Sequence, residues 1–453
     1  MRNKLVIYAA LAAALLTAGF LGFRGFMRSH DTTWDENIYM MLGEKLHADP
    51  LSYSPSFMAS SLMESGSSVP GYLYEPLFKH PPLFPYLIAA AYHFTNSAVL
   101  AAFYVSYISG IFIVLMAFLI GKEIFDARAG ALAALVTAID PIRLTCSVKM
   151  WADSTLAVLM LASLLLFIKA VKREKTLLYV SAGVFAGLAM LVKCSALLLF
   201  PIGLSMMFIS GHWSTAKKGF LLWPAAAFLV FLPWLLLNYH VYGTGLISKA
   251  AYLHGIRPQF LYNAAAAVIV ALPACLLARK LPGWARLCAL AAALTWLLSR
   301  PYVFRAVAGT LDMSFVPSHG WLSGMFSYEP RLFYFRRLIE LSPFYLISFL
   351  GILFMSKPRH DSAFLFVPVF WAIGFYIFWG SYQSRYLLFA APLLLIMASY
   401  AFIFLRDSIR RMAVPRSIGT ALKALLAAVI IISLVKTVYV DLGIALVNDL
   451  AYF

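Results

Sequence analysis

Apolar and polar residues along this chain alternate in long blocks. The first block, residues 4 to 23, is a continuous apolar run behind Arg2 and Lys4. It is longer than a signal-peptide core and has no convincing small-x-small cleavage site, so it reads as a retained first span with a cytoplasmic N-terminus. Further apolar runs lie near 98 to 121, 127 to 145, 152 to 171, 177 to 193, 194 to 210, 218 to 239, 261 to 279, 284 to 299, 342 to 356, 362 to 379, 385 to 405 and 418 to 440. Each approaches the ~20 residues that a helix needs to cross the hydrocarbon layer. The run from Pro82 to Phe94 is short of that length and contains Pro82, Pro85 and His93. If it lies on the outer face, the clusters Lys122/Arg128, Lys169/Lys172/Arg173/Lys175, Lys217/Lys218, Arg279/Lys280/Arg286, Lys357/Arg359 and Arg406/Arg410/Arg411/Arg416 all become cytoplasmic. If it spans, every one of them moves outside, against the positive-inside rule. The expectation is therefore about 13 spans with an interfacial helix in the first outer loop.

Composition agrees with that pattern. Of the 453 residues, 62% are hydrophobic and 12% charged, and the mean hydropathy is +0.84, which excludes an ordinary soluble domain. We expect an all-α polytopic protein of the multi-pass plasma (inner) membrane, folded as one transmembrane domain over 1–453. Residues 24–97 form its first outer loop and 300–341 a second outer loop, basic and aromatic; no polar stretch is long enough for a soluble C-terminal domain. Cys146, Cys194, Cys275 and Cys288 lie in or beside apolar runs, so no disulfide framework is expected. Much of the net charge of +17 is the cytoplasmic bias of loops. The remainder is not, because Lys79, Arg143, Lys149, Lys193, Arg257, Arg300, Arg305, Arg331, Arg336, Arg337 and Arg385 fall on the outer side or its membrane boundary. Cations there call for an anionic partner, and at a membrane surface lipid phosphate fits better than nucleic acid.

Candidate chemistry concentrates between Trp34 and Tyr86. Asp35 and Glu36 open this stretch; Lys79 and His80 sit directly before Pro81 and Pro82, whose fixed backbone presents the two basic side chains in extended form. Each group also has a structural reading. Asp35 or Glu36 caps a helix starting at Trp34; Lys79 snorkels to headgroups and His80 bonds locally; Asp153, at the mouth of a span, pairs with Lys149 four residues earlier; Lys193 and Arg385 are interfacial anchors. The 300–341 loop mixes its arginines with rings such as Tyr302, Trp321, Tyr328 and Phe333, which suits phosphate and sugar. No metal-ligand spacing, P-loop, dinucleotide fingerprint or nucleophile elbow is present.

The acidic first outer loop, Lys79-His80-Pro81-Pro82-Leu83, the Gly-Lys-Glu-Ile-Phe-Asp-Ala-Arg-Ala-Gly-Ala-Leu-Ala-Ala segment at 121 to 134, Asp153 and Ser-Arg-Tyr-Leu-Leu-Phe-Ala-Ala-Pro at 384 to 392 together resemble the GT-C glycosyltransferases that use polyprenyl-phosphate sugars. The nearest patterns are those of protein O-mannosyltransferases and lipid A aminoarabinose transferases. The resemblance is firmest over the first two hundred residues, and the expected lack of a soluble C-terminal domain departs from the aminoarabinose branch.

It implies a GT-C bundle that transfers a sugar, with inversion, from a polyprenyl or dolichyl phosphate to a protein, lipid or glycan acceptor on the outer face. Asp35 is then the base, with Glu36 as its substitute and Asp153 as a second acid of the sugar or acceptor pocket. Lys79, His80, Lys193, Arg331, Arg336, Arg337 and Arg385 are the donor-phosphate ligands. No cofactor is implied, and a divalent cation at Asp35, Glu36 and His80 is left unassigned. A rival class is a transporter or flippase of lipid-linked sugars, which would place its ionisable groups near the midplane on broken helices in repeated halves; a non-catalytic scaffold would leave the cationic loop without a purpose.

Overall fold

A computed structural model describes residues 2–29, 32–64, 71–243, 333–354, 362–377, 383–411 and 416–444, and among them every regular element is helical. Among the described residues six helices are long and apolar enough to cross a membrane, or seven if one bent pair is a single span. The expected runs at 261 to 279 and 284 to 299 lie outside the described residues.

Helix α1 (Arg2–Arg28) is followed by three short helices, α2 (Trp34–Ala48), α3 (Ser56–Glu64) and α4 (Leu83–Thr95). The α4 helix starts after Pro81-Pro82 and closes on Asn96 in the left-handed conformation, φ 50°, so its 13 residues fall short of a span. Next come α5 (Ala98–Ile124), α6 (Ala127–Ala138) and α7 (Pro141–Val148). The sequence pattern suggests one span from 127 to 145; the chain instead bends by 56° between α6 and α7. Asp140 and Pro141 cause the break. Proline has no N–H to continue α6 but suits the first turn of a new helix, and the Asp140 carboxylate accepts the Arg143 N–H at 2.9 Å as the cap of α7.

The chain continues through α8 (Asp153–Arg173), α9 (Thr176–Val192), α10 (Leu199–Ser210) and α11 (Trp213–Tyr242). Beyond residue 332 come α12 (Phe333–Leu341), α13 (Pro343–Phe354), α14 (Ala363–Ile377), a 3-10 turn at Ser384–Phe389, α15 (Ala390–Arg411) and α16 (Arg416–Leu442). Residues 333 to 341 were expected to be loop. They are helical because Tyr334, Leu338 and Leu341 recur at helical spacing and are all buried.

Helix α5 packs against α1, α4, α6, α7 and α8; α9 joins α8 to α11; and α15 packs on α6, α13 and α14. The span at Ser384–Arg411 has 83% of its most apolar window buried, whereas α16 has 6%, so α15 is a core helix and α16 a peripheral one. Small residues set the closest crossings, with Ala14 and Ala18 of α1 meeting Ala131, Ala134 and Ala138 of α6. In a bilayer this is where packing energy comes from, since lipid is as apolar as the helices. A Cβ on Gly130 would lie 2.4 Å from the Phe118 carbonyl oxygen of α5.

Gly130→Ala must therefore push α6 off α5, and we expect a loss of about 1–3 kcal/mol, seen as a lower midpoint for loss of monodisperse protein on heating in detergent. Gly374→Ala, with nothing within 4 Å of the added carbon, should leave that midpoint unchanged or raise it slightly.

Candidate active site

Site chemistry gathers at the end of the bundle where α1 ends and α8 begins. Asp35 lies in the first turn of α2, and that turn is held by a capping box. The Thr33 side chain accepts from the third helical N–H, and the Glu36 carboxylate accepts the Thr33 N–H at 2.6 Å. The Thr33-x-x-Glu36 spacing is legible in the sequence. Glu36 is 1% exposed, takes the Met150 N–H at 2.9 Å on its other oxygen and has Lys149 at 3.9 Å. Of the two adjacent acids, Glu36 thus ties α2 to the segment after α7, while Asp35 is left half-exposed.

Asp35 meets Arg385 of the 3-10 turn, Nη2 to Oδ2 at 2.9 Å. Arg385 also reaches Asp153, Nη1 to Oδ2 at 3.9 Å, and Asp153 takes an ion pair from Lys193 at 2.9 Å. Lys149 pairs with Glu36, so Asp153 draws its cations from distant parts of the chain instead of from the helix turn before it. Lys193 is placed by the end of α9, where its N–H donates to the Ala189 carbonyl, and Asp153 by the first turn of α8, where a carboxylate is favoured by the helix dipole. Lys79 and His80 enter from the segment before α4 and complete the group. The His80 carbonyl accepts from the Tyr53 hydroxyl at 2.9 Å, and its ring lies 5.4 Å from Phe78 and 6.2 Å from Tyr39.

The charges shape one another. Burial works to raise the Asp35 carboxyl, but Arg385, with Lys193 behind it, holds it below its ordinary 3.8. Burial also lowers the Lys79 ammonium; Asp35 opposes this, while Lys193 and Arg385 reinforce it. The His80 imidazole is pushed well below 6.5, by burial first and then by Lys79 and Lys193. At neutral pH His80 is therefore an uncharged hydrogen-bonding ring, and the cationic work falls to Lys79, Lys193 and Arg385.

The two site acids differ in access. Asp35 keeps 37% of its side chain exposed and Asp153 only 7%. One can touch an incoming group, while the other is enclosed by its cations.

Sequence reasoning missed the aromatic support. The Arg385 guanidinium lies 4.5 Å from the centroid of the Trp151 ring and 5.7 Å from that of Tyr386, Tyr386 stacks on Tyr376 at 5.0 Å, and Trp151 Nε1 donates to Thr33 Oγ1 at 2.9 Å. Stacking and the fork geometry of arginine explain how one side chain can be held between two carboxylates. Nothing local in the sequence marks Trp151 for this role. The proposed Arg337 is occupied on α12, with Glu340 at 3.0 Å and Phe333 at 5.6 Å. Arg336 lies on α12 with its side chain outside the description, and Arg331 lies outside the described residues. Arg143, expected at the boundary, is fully buried within the bundle. Among the described residues no three His, Cys, Asp or Glu side chains group as a cation site.

The dolichyl-phosphate-mannose-protein mannosyltransferase family matches residues 79–237, a segment holding Lys79, His80, Asp153 and Lys193 but not Asp35 or Arg385. No curated protein matches the chain. Among solved structures, the archaeal oligosaccharyltransferase AglB from Archaeoglobus fulgidus, in complex with an inhibitory peptide and a dolichol-phosphate, superposes with a TM-score of 0.59 at 17% identity, over 98% of this chain and 56% of that one. The chain thus spans a little over half the length of that protein. ArnT from Cupriavidus metallidurans bound to undecaprenyl phosphate gives 0.54 at 15% identity, over 98% of this chain and 75% of that one. These likenesses establish the fold: a polytopic helical membrane protein of the GT-C type.

Two outcomes follow from the site. A carboxyl with a folded value below 3.8 contributes stability that is full above that value and lost as pH falls through the folded one. The stability difference between the wild type and Asp35→Asn should hold constant from about pH 5 to 8 and shrink in stronger acid, as followed by thermal unfolding in detergent across pH. Glu36→Gln, which removes the charge from two buried hydrogen bonds, should cost about 1–3 kcal/mol in the same assay.

Proposed function

We propose that this chain is an integral-membrane glycosyltransferase that moves a sugar from a polyprenyl or dolichyl phosphate to an acceptor on the extracytoplasmic face of the membrane, with inversion. The observation that carries this reading is the single half-open carboxylate, Asp35, held next to three buried or half-buried cations at one end of the bundle. Transfer from a lipid phosphate asks for that division of labour. An acceptor hydroxyl or amine needs a base, and the departing phosphate needs positive charge more than a proton.

In the reaction, the acceptor oxygen or nitrogen attacks the anomeric carbon and its proton passes to Asp35. The bond from the anomeric carbon to the phosphate oxygen breaks on the opposite side, and the electron pair leaves with polyprenyl phosphate, met by Lys79, Lys193 and Arg385. Asp153 orients Lys193 and Arg385, and the neutral His80 ring is a hydrogen-bonding neighbour of sugar or phosphate. The dolichol-phosphate in the AglB complex and the undecaprenyl phosphate bound to ArnT, with the mannosyltransferase match, support a donor built on a lipid phosphate. The positive-inside pattern supports the orientation, with the N-terminus in the cytoplasm.

Transport of a lipid-linked sugar is favoured by one observation, the discontinuous α6–α7 pair, a device that transporters use. Chemistry separates the two readings. Purified protein given polyprenyl-phosphate sugars and acceptor should release free polyprenyl phosphate. Asp35→Asn should still bind polyprenyl phosphate while transfer falls by about 10²- to 10⁴-fold, the usual loss for a missing general base. Near wild-type turnover of that variant at saturating donor and acceptor would remove Asp35 from the role, and translocation without release would establish the transport reading.

A further inference from the structure

The Lys79 and His80 side chains project from a stretch of chain that no helix fixes. Regular structure between residues 71 and 82 is one 3-10 turn, Gly71–Tyr74, and α4 begins only at Leu83. Pro81 and Pro82 have no N–H with which to tie the stretch to a neighbour. What remains to hold it is the Leu77 and Phe78 amides and a row of carbonyls.

Two tyrosines from other parts of the chain take up those groups. The Tyr53 hydroxyl donates to the His80 carbonyl at 2.9 Å and lies 3.3 Å from the Pro81 carbonyl, while the Tyr53 carbonyl accepts the Phe78 N–H at 3.2 Å. One residue thus grips the backbone on both sides of Lys79. Tyr242, the last residue of α11, accepts the Leu77 N–H with its hydroxyl at 3.3 Å and donates to the Leu77 carbonyl at 3.4 Å. Tyr53, Leu77 and Phe78 are buried, where a polar group left without a partner is costly.

Each tyrosine is itself fixed. The Tyr53 ring meets Trp234 of α11 edge-on at 5.6 Å and Phe78 at 6.3 Å. Its backbone belongs to the turn after α2, where the Tyr53 N–H donates to the Leu51 carbonyl at 3.1 Å and the Lys45 ammonium of α2 donates to the Ser54 carbonyl at 3.2 Å. Because α2 carries Asp35 in its first turn, Tyr53 links the helix of the carboxylate to the segment of the cations. Tyr242 links the same segment to α11.

We propose that Tyr53 and Tyr242 are positioning residues of the site: their hydroxyls hold the backbone from Leu77 to Pro81 in the course that presents Lys79 and His80 beside Asp35 and to the donor phosphate. Both act on backbone atoms, through the two basic residues. The consequence for phosphate binding rests on the glycosyltransferase reading; the consequence for the segment does not.

Tyr53→Phe and Tyr242→Phe each delete one hydroxyl and keep the ring. Hydrogen exchange in lipid nanodiscs should show the Phe78 amide exchanging about tenfold faster in each variant than in the wild type, with the amides of α6 unchanged. Binding of polyprenyl phosphate should weaken by about three- to tenfold. In a Lys79→Ala/His80→Ala background the further loss from either variant should stay within about twofold, because a hydroxyl that acts by presenting those side chains has nothing left to present. Unchanged exchange at Phe78, or faster exchange at Phe78 and α6 alike, would overturn the proposal, because the hydroxyls would then hold either nothing or only the fold. Faster Phe78 exchange with unchanged binding, or an equal loss of binding in both backgrounds, would overturn the link to the site. Should Tyr53→Phe fail to insert, Tyr242→Phe carries the same readouts with the same decisions. A wild type that does not bind polyprenyl phosphate would count against the glycosyltransferase reading, and the exchange measurement would still decide whether the hydroxyls hold the segment.

Discussion

One guanidinium from the last part of the chain joins two carboxylates from its first half. Arg385 bonds Asp35, which is 350 residues away in sequence, and faces Asp153 at the start of a third segment. The pairing brings α2, α8 and the turn before α15 to a single point. It also keeps Asp35 ionised while the guanidinium itself stays in place through the Trp151 and Tyr386 rings. A lysine here would supply the charge without the fork or the stacking surface. Removing either carboxylate would leave the arginine drawn entirely to the other, so the position of the base and that of the phosphate-binding cations are set together.

The bilayer explains why so much of this network is polar and internal. In water, helices associate by burying apolar faces; in lipid, apolar faces gain little from one another, and small-residue contact and hydrogen bonds decide which helices meet. Alanines join α1 to α6, a glycine lets α6 approach α5, and a serine–threonine bond with a buried aspartate docks α16. The break between α6 and α7 belongs to the same logic. The Asp140 carboxylate caps α7 through the Arg143 N–H and accepts the Tyr345 hydroxyl of α13 with its other oxygen.

Glu36 and Asp35 show how adjacent residues of like chemistry acquire different tasks. They are about 100° apart on the helix, so one turns into the protein and the other toward the Arg385 guanidinium. Glu36 spends both oxygens on backbone amides, and those bonds hold the turn that presents Asp35.

Much was legible in the sequence because the membrane imposes a length and a sign on each segment. Apolar runs marked the spans, lysine and arginine bias oriented them on paper, and the acids and bases of the first long polar interval singled out Asp35, Lys79 and His80. The capping role open to Asp35 or Glu36 was also visible, since capping is a local property. Partner choice was not. Asp153 had Lys149 four residues away, yet it pairs with Lys193, and Lys149 pairs with Glu36, because the ends of α7, α8 and α9 converge in space and sequence proximity does not measure that. Arg143 is enclosed by helices, and the run from 127 to 145 is a pair of helices bent by 56°, which hydropathy cannot show because it averages over a single Asp-Pro. The Trp151 surface beside Arg385 and the bond between Tyr345 and Asp140 exist only once distant helices meet, so only the tertiary structure could decide them.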